Sequence, residues 1–174
     1  MVESVSVLIS REDVEKRIAE MAAELSSRYD SVHFVCILKG SVFFLTELAK
    51  DMTVPVTMDF ISVSSYGNGT ESSGIVKFNK DLDDSIEGKN VVVVEDILDS
   101  GRTLSYVKSV LEGRNPASLS VITLLDKPER RVVPVELDMT GFVIPDEFVV
   151  GYGLDYAQKY RNLPYIGVLS LKEE

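Results

Sequence analysis

The stretch VVVVEDILDSGRTL, residues 91–104, decides the fold of this chain. Its four consecutive valines are typical of a strand that is buried on both faces, as in a parallel sheet with helices on each side. The apolar run ends at the paired acids Glu95 and Asp96, and a third acid, Asp99, opens a short polar loop. A helical pattern resumes after this loop, so the stretch predicts a strand, a loop and a helix start in that order.

The loop at residues 99–103 has the composition of a phosphate site. A helix N-terminus offers unpaired N–H groups and a partial positive charge, and Gly101 lets the backbone approach an anion closely. The two acids before the loop suit a diol or a metal ion, because carboxylates accept hydrogen bonds and are hard oxygen ligands. On this stretch alone, an ordinary strand-to-helix loop with solvated acids is the simpler alternative.

Apolar runs alternate with helical patterns along most of the chain, and polar residues gather where the apolar runs end. The periodicity predicts helices over residues 11–28, 41–51 and 104–113, and strands over residues 32–38, 54–63, 91–94, 117–125 and 165–171. This alternation favours an α/β fold with a doubly wound, mainly parallel sheet flanked by helices. No repeat, low-complexity tract or linker interrupts the sequence, so we expect one domain over residues 1–174.

The composition argues against several classes of function. With 18 basic and 28 acidic residues the net charge is −10, which disfavours broad binding to nucleic acid or to an anionic membrane. The single cysteine, Cys36, lies in an apolar run, so we expect a buried core thiol and no internal disulfide. No uncharged run is long enough to cross a bilayer as a helix. We therefore expect a soluble cytoplasmic protein.

The segment SSYGNGTESSG, residues 64–74, consists mainly of small and polar residues. Its composition alone favours a surface loop without a specific role. A lid over an active site is the alternative, because such loops need low intrinsic order and small residues at their hinges. The hypothesis is a mobile active-site loop at about residues 64–75.

Five segments of the chain form a pattern when they are taken together. The central one is the D-x-G-x-T sequence Asp99-Ser100-Gly101-Arg102-Thr103, which follows the apolar strand and the two acids. The others are Leu38-Lys39-Gly40, Ser65-Tyr66, Lys127, and FVVGYGLDY at residues 148–156 with Arg161 beyond it. The pattern resembles that of the type I phosphoribosyltransferases, and in particular the bacterial hypoxanthine-guanine phosphoribosyltransferases, over nearly the whole chain. The resemblance also implies a small hood formed by terminal segments.

The reaction that the resemblance implies is purine salvage. A 5-phosphoribosyl group passes from phosphoribosyl pyrophosphate to N9 of hypoxanthine or guanine, which gives IMP or GMP and releases pyrophosphate. The implied cofactor is Mg²⁺. The implied partners are these small molecules, with no nucleic acid and no membrane, and a homodimer or homotetramer is usual for the family.

The resemblance also implies a role for each matching residue on the phosphoribosyl side. Glu95 and Asp96 correspond to the pair that receives the ribose hydroxyls and a Mg²⁺, and Asp99 corresponds to the general base near purine N7. Adjacent side chains of a regular strand point to opposite faces, so the strand must end or twist at this pair if both are to face the ligand. The 5′-phosphate is expected at Asp99, Ser100, Gly101, Arg102 and Thr103. Pyrophosphate is expected at Lys39, Gly40 and Arg161, with a family-typical cis peptide between Leu38 and Lys39.

On the purine side, the implied residues are Ile97, Lys127, Phe148, Val149 and Asp155. Lys127 is expected to donate to purine O6, Phe148 to stack on the ring, and the Val149 backbone to meet the exocyclic edge. Asp155 is also expected to bind a second Mg²⁺, which adds it to Glu95 and Asp96 as a metal ligand. Ser65 and Tyr66 are expected to open the lid.

Three other functions fit parts of the sequence. A nucleoside-triphosphate hydrolase needs a G-x-x-x-x-G-K-[ST] loop, which is absent. A phospho-receiver domain does not account for the loop at residues 99–103 or for the segment at 148–155. A nucleotide-responsive regulatory protein that binds nucleic acid is the main alternative, because it can share the fold. The presence of Asp99, Lys127 and Arg161 favours an enzyme.

Overall fold

The structure is a computed structural model that describes residues 2–65 and 76–172. It contains the helices α1 (Arg11–Arg28), α2 (Val42–Asp51) and α3 (Arg102–Glu112). The strands are β1 (Val2–Ile9), β2 (Val32–Ile37), β3 (Val56–Ser65), β4 (Val76–Lys80), β5 (Asn90–Leu98), β6 (Ser118–Asp126), β7 (Met139–Val143), β8 (Val149–Val150) and β9 (Ile166–Lys172). A short 3₁₀ turn (Pro128–Arg130) follows β6.

The main sheet has six strands in the order β4-β3-β2-β5-β6-β7. All neighbouring pairs are parallel except β3 with the edge strand β4, which is antiparallel. The valine strand β5 lies between β2 and β6 in the middle of the sheet. The predicted doubly wound, mainly parallel sheet is confirmed.

Helices cover both faces of the sheet, and the valines of β5 divide between the two faces. Val92 and Val94 belong to the apolar cluster that includes the buried sides of α1 and α2. Val91 and Val93 belong to the second cluster, which includes the buried side of α3. All four side chains are fully buried, as the continuous apolar run predicts. Burial in the first cluster also raises the pKa of the Cys36 thiol to about 12, so this cysteine is an inert core residue.

A second, three-stranded sheet with the order β1-β9-β8 joins the beginning of the described chain to its end. It is antiparallel, with Val5 opposite Leu169 in the β1–β9 pair and Val149 opposite Val168 in the β8–β9 pair. This sheet forms the hood that the resemblance implies. It carries the segment that follows β8, and therefore fixes that segment beside the carboxyl ends of the main sheet.

Several details differ from the sequence predictions. Strand β1 is not predicted by the periodicity, and β5 runs four residues beyond the valines to Leu98. The segment FVVGYGLDY contains only the two-residue strand β8, followed by turns. The predicted lid at residues 64–75 lies outside the described residues, apart from the backbone at the end of β3. Within residues 2–65 and 76–172, none of the helices is long and apolar enough to cross a membrane.

Candidate active site

Polar loops follow β2, β5 and β6 at the edge of the main sheet where the carboxyl ends of these parallel strands meet. The loop after β2 is in close contact with the last residues of β5, since a Cβ on Gly40 would lie only 1.6 Å from Asp96 Oδ2. The second and third loops are joined by the Lys127 N–H, which donates to the Leu98 carbonyl at 3.0 Å. In open α/β sheets this is the edge where ligands bind. The three strand ends singled out in the sequence therefore converge on one place.

The acidic pair Glu95 and Asp96 lies within the last four residues of β5, so of the two expected alternatives, an end or a twist of the strand at the pair, the first does not hold. The two carboxyls still meet, because each one folds back onto the backbone of the following residue. The Asp96 N–H donates to Glu95 Oε1 at 3.1 Å, and the Ile97 N–H donates to Asp96 Oδ1 at 2.7 Å. The hydroxyl of Ser41 donates to Glu95 Oε1 at 3.0 Å and accepts the Asp96 N–H at 3.0 Å. Backbone and serine donors thus hold both acids at the strand end.

Both acids of this pair have a raised pKa. Desolvation is the main cause for Glu95, and the neighbouring charge of Asp96 adds to it, so the pKa of Glu95 lies well above 4.5. Desolvation also raises the pKa of Asp96, although the positive charge of Arg161 acts in the opposite direction. Two half-buried, desolvated carboxyls of this kind are stabilised when a cation or hydrogen-bond donors from a ligand approach them.

The acidic pair fits Mg²⁺ as a metal shared with a ligand. Within residues 2–65 and 76–172, no three acidic, histidine or cysteine side chains are grouped as a complete metal site. Mg²⁺ does not need such a group, because it prefers oxygen ligands and is usually held by one or two carboxylates with substrate phosphates and water. The third acid assigned to metal, Asp155, instead pairs with Arg161 at 2.8 Å. The structure thus brings Glu95 and Asp96 together, whereas Asp155 is paired with Arg161 and does not complete a three-residue metal group with them in the described part of the chain.

Four residues of the loop at 99–103 line a cavity of about 190 Å³, namely Asp99, Ser100, Gly101 and Thr103. The fifth, Arg102, does not line it and its side chain is exposed. Ser100, Gly101 and Thr103 face this cavity from one side, and Glu95 faces it from another. Gly101 has a φ of +83° and directly precedes α3, and as a glycine it supplies no side-chain cap to that helix end. Ahead of it, the Ser100 hydroxyl accepts the Arg102 N–H in a long hydrogen bond of 3.4 Å. The first turn of α3 therefore keeps N–H groups that can bind an anion.

The same loop is held from behind by the chain that follows the 3₁₀ turn. The N–H groups of Val132 and Val133 both donate to the Ser100 carbonyl at 2.9 Å. A Cβ on Gly101 would lie 2.2 Å from the Val133 carbonyl oxygen, so glycine is required by contact as well as by its φ. The loop backbone is thus fixed before any ligand binds.

A second cavity, of about 290 Å³, adjoins the first. It is lined by Ile97, Asp99, Lys127, Arg130, Phe148, Val149, Leu154 and Asp155. Ile97 and Asp99 line both cavities, and the side chain of Asp99 is exposed at their junction. Apolar side chains with a few polar groups suit a flat, heterocyclic ligand. All five residues implied for the purine side line this second cavity.

The side chains of the second cavity differ in how firmly they are held. Lys127 is buried, and its Nζ donates to the Glu147 carbonyl at 2.7 Å. Phe148 is 53% exposed and meets Tyr156 edge to face at 5.8 Å, so it is not a core aromatic residue. Val149 is buried in β8 and brings its backbone to the cavity wall. A donor and an exposed ring face are therefore available in one cavity.

Arg161 is attached to the turn that follows β8. Its Nη1 donates to the Gly153 carbonyl at 2.7 Å, and its Nη2 is 2.8 Å from Asp155 Oδ1. This turn touches the loop after β2, since a Cβ on Gly153 would lie 1.8 Å from the Gly40 carbonyl oxygen. Lys39 is exposed beside this contact, and the Leu38–Lys39 peptide is cis. The three residues implied for pyrophosphate are therefore near one another through Gly153.

Two site residues were missed in the sequence. Ser41 binds both acids of the β5 pair, and its only sequence signal is its position directly after Leu38-Lys39-Gly40. Arg131 donates from Nε to the Asp99 carbonyl at 3.1 Å and forms an ion pair with Asp126. Its sequence signal is weak, because it is one of several charged residues that follow Lys127. Of the two implied lid residues, Tyr66 lies outside the described residues, and only the backbone of Ser65 is described.

Comparison with known proteins agrees with this geometry. A family model described as "Phosphoribosyl transferase domain" matches residues 7–157. The hypoxanthine-guanine phosphoribosyltransferase of Bacillus subtilis is 52% identical over 94% of this chain and 92% of its own length. The hypoxanthine phosphoribosyltransferase of Escherichia coli is 48% identical over the full length of both chains. The chain also matches the bifunctional protein TilS/HprT of Listeria monocytogenes with 53% identity, but spans only 26% of that longer relative.

The fold has equally close counterparts among solved structures. The hypoxanthine phosphoribosyltransferase of Staphylococcus aureus superposes with a TM-score of 0.91 at 48% identity, covering 95% of this chain and 91% of its own. The hypoxanthine-guanine phosphoribosyltransferase of Bacillus anthracis has a TM-score of 0.91 at 43% identity, over 98% and 100% of the two chains. On sequence, fold and arrangement of the strand-end loops, the chain belongs to the phosphoribosyltransferase family.

Proposed function

We propose that the protein transfers the 5-phosphoribosyl group of phosphoribosyl pyrophosphate to N9 of hypoxanthine or guanine, which yields IMP or GMP and pyrophosphate. The observation that carries this proposal is the shared wall between the two cavities. One cavity is lined by a phosphate-type loop and by Glu95 of the acidic pair, the other combines a buried ammonium with an exposed aromatic ring, and Asp99 lines both. A two-substrate transfer needs this arrangement, because its reacting atoms must meet at the boundary of two subsites.

In the first cavity, the 5′-phosphate is bound by the N–H groups at the start of α3 and by the hydroxyls of Ser100 and Thr103. Glu95 and Asp96 accept hydrogen bonds from the ribose hydroxyls. The same two carboxylates would hold Mg²⁺, which would offset their negative charge and that of the leaving pyrophosphate. Lys39, the Gly40 backbone and Arg161 hold the leaving pyrophosphate.

In the second cavity, Lys127 donates to O6 of the purine, which selects an oxo group over an amino group. Phe148 stacks on the ring, and the Val149 backbone meets the exocyclic edge. Asp99 accepts the N7 proton as N9 bonds to the sugar carbon. Exclusion of water by a closing loop at residues 64–75 would protect the donor from hydrolysis.

The assembly proposed around this site is a single domain, residues 1–174, that forms a homodimer or homotetramer in the cytoplasm. The absence of helices able to span a membrane in the described ranges and the net charge of −10 are compatible with this proposal. The role of Asp155 as ligand of a second Mg²⁺ requires that it leave its ion pair with Arg161.

The proposed activity predicts nucleotide formation from defined substrates. Purified protein with phosphoribosyl pyrophosphate, Mg²⁺ and either hypoxanthine or guanine should form IMP or GMP, monitored by liquid chromatography, and a chelator should abolish the product. Adenine and xanthine serve as comparison bases. Salt-dependent binding to nucleic acid without any turnover would instead support a regulatory protein on the same fold.

Substitution of Asp99 tests its proposed role as proton acceptor. The variant Asp99→Asn keeps the shape of the side chain but cannot accept a proton, so kcat should fall by roughly 10²–10⁴. The KM for phosphoribosyl pyrophosphate should stay within about threefold, because the loop backbone that binds the phosphate is unchanged. Asp51→Asn, an exposed acid at the end of α2, is the control. Unchanged kcat in Asp99→Asn would contradict the assignment.

The close approach of Gly153 to Gly40 predicts a difference between two glycine variants. Both Gly153 and Gly88 have positive φ, +100° and +72°, so alanine at either position costs about 1–2 kcal/mol of backbone strain. Only at Gly153 does the added Cβ also strike backbone, at 1.8 Å from the Gly40 oxygen. Gly153→Ala should therefore lower kcat/KM by more than tenfold in steady-state assays, whereas Gly88→Ala should retain activity. Equal kinetics in the two variants would show that the contact does not position the site.

The raised pKa of Glu95 predicts how stability depends on pH. A carboxyl whose pKa is higher in the folded state contributes stability that is present below its unfolded pKa and is lost as pH rises through the folded value. Without divalent cations, the free energy of unfolding should therefore decrease as pH rises above 4.5. Glu95→Gln should reduce this decrease and abolish nucleotide formation. Urea denaturation at several pH values measures the slope, with exposed Glu112→Gln as the control, and an unchanged slope in Glu95→Gln would refute the prediction.

A further inference from the structure

One wall of the purine cavity contains a group of three charged residues whose arrangement the proposed reaction does not yet explain. Arg130 lines the cavity, and its Nε donates to Asp146 Oδ1 at 2.7 Å. The same Asp146 oxygen lies 3.7 Å from Nζ of Lys127. The distance to Lys127 is within the range of an ion pair but is too long for a hydrogen bond. Asp146 is thus hydrogen-bonded to Arg130 and forms only a longer ion pair, without a hydrogen bond, with Lys127.

Local structure brings the three residues together. Lys127 and Arg130 are three residues apart at the start and end of the 3₁₀ turn, where the Arg130 N–H donates to the Lys127 carbonyl at 3.2 Å. Side chains with this spacing in a 3₁₀ turn lie on the same side. Asp146 comes from the loop after β7, which is fixed to β6 by the Ile144 N–H bonded to the Asp126 carbonyl at 2.9 Å. The grouping therefore follows from two rigid connections.

The charges of these residues are mutually dependent. The hydrogen bond from Arg130 is the main cause that lowers the pKa of Asp146, and the charges of Arg130 and Lys127 add to it. Asp146 is therefore a carboxylate at neutral pH and attracts both cations. The Arg130 side chain is 58% exposed, whereas the Lys127 side chain is 9% exposed, so an ion pair with the buried ammonium would be the less screened of the two.

A closer contact with Asp146 would affect the N–H donors that Lys127 can offer to a ligand. Its ammonium has three N–H groups, and one of them is used by the Glu147 carbonyl at 2.7 Å. If Asp146 captured a second one, the ammonium would be drawn toward the loop and partly neutralised. A purine oxo group would then have to compete with a carboxylate for the remaining donor. In the structure the Asp146 oxygen that faces Lys127 instead accepts the hydrogen bond from Arg130.

We propose that Arg130 is a positioning residue for purine recognition, which keeps the Lys127 ammonium available to the 6-oxo group by holding Asp146 away from it. The inference rests on the proposed function, in which Lys127 binds O6. It adds to that function an exposed arginine that acts through Asp146 and need not touch the purine.

The test is a second-site rescue. In Arg130→Ala the carboxylate of Asp146 is free to bind Lys127, and the KM for hypoxanthine should rise roughly tenfold, the effect of weakening one charged hydrogen bond. The KM for phosphoribosyl pyrophosphate should not change. In the double variant Arg130→Ala/Asp146→Asn the competing charge is gone, and the KM for hypoxanthine should return to within about threefold of the wild-type value.

Controls separate this inference from other effects of the missing arginine. Arg28→Ala removes an arginine that pairs with Glu24 on α1, which makes the same change in net charge, and it should leave both KM values unchanged. Asp99 also contributes to the raised pKa of Arg130, after the larger effects of Asp146. A loss that acts through Asp99 would lower kcat and would not be restored by Asp146→Asn. Circular dichroism melting confirms that each variant is folded.

The possible outcomes distinguish the inference from the function on which it rests. Rescue in the double variant supports the positioning role. An unchanged KM for hypoxanthine in Arg130→Ala, or a double variant no better than the single one, overturns it while leaving the transferase activity established. No nucleotide formation by the wild-type protein would overturn the proposed function itself.

Discussion

The desolvation of two adjacent, half-buried carboxyls near the end of an apolar strand is the constraint on which the rest of the site depends. Glu95 and Asp96 are costly to ionise there, and desolvation raises the pKa of both. Hydrogen bonds from the Ser41 hydroxyl and from backbone N–H groups offset part of this desolvation cost. These donors take the place that a permanently charged basic side chain would otherwise have. A full salt bridge would neutralise both carboxylates in the free protein, and a cation or diol would then gain little by binding to them. The incomplete neutralisation makes this strand end receptive to a cation and a diol.

The same constraint explains why small residues surround the pair. Gly40 lies against Asp96, and Gly153 lies against Gly40. Because neither glycine has a side chain, the backbone of the turn that carries Asp155 and Arg161 can approach the acids of β5 closely. The hood supports that turn through β8 and β9. Groups that are more than a hundred residues apart in sequence therefore reach one strand end by backbone contact.

The helices and strands that depend on a pattern of neighbouring residues could be predicted from the sequence. The stripe Val14, Ile18, Met21, Ala22 and Leu25 gives α1 its observed bounds, and the four valines of β5 are buried on both faces as expected. Strand β1 was missed because its partner β9 comes from the opposite end of the chain, and no local pattern reveals such a pairing. The Arg130–Asp146 pair and the attachment of Arg161 to Gly153 were missed for a related reason. They depend on turns, including positive φ at the non-glycine residues Tyr152, Ala157 and Tyr160, that leave no clear periodicity.

The pairing of β1 with β9 has a consequence for the order in which the molecule takes shape during synthesis. Every strand of the main sheet has been made once the ribosome has added Val143, so this sheet can assemble while the remaining segment is still emerging. Of the described strands β1 is the earliest in sequence, but it obtains its partner only when Ile166–Lys172 has been added. For that interval an N-terminal strand has an unpaired edge, which is the condition that favours contact with other chains. The hood, and with it the turn that carries Arg161, is the last part of the site to become fixed.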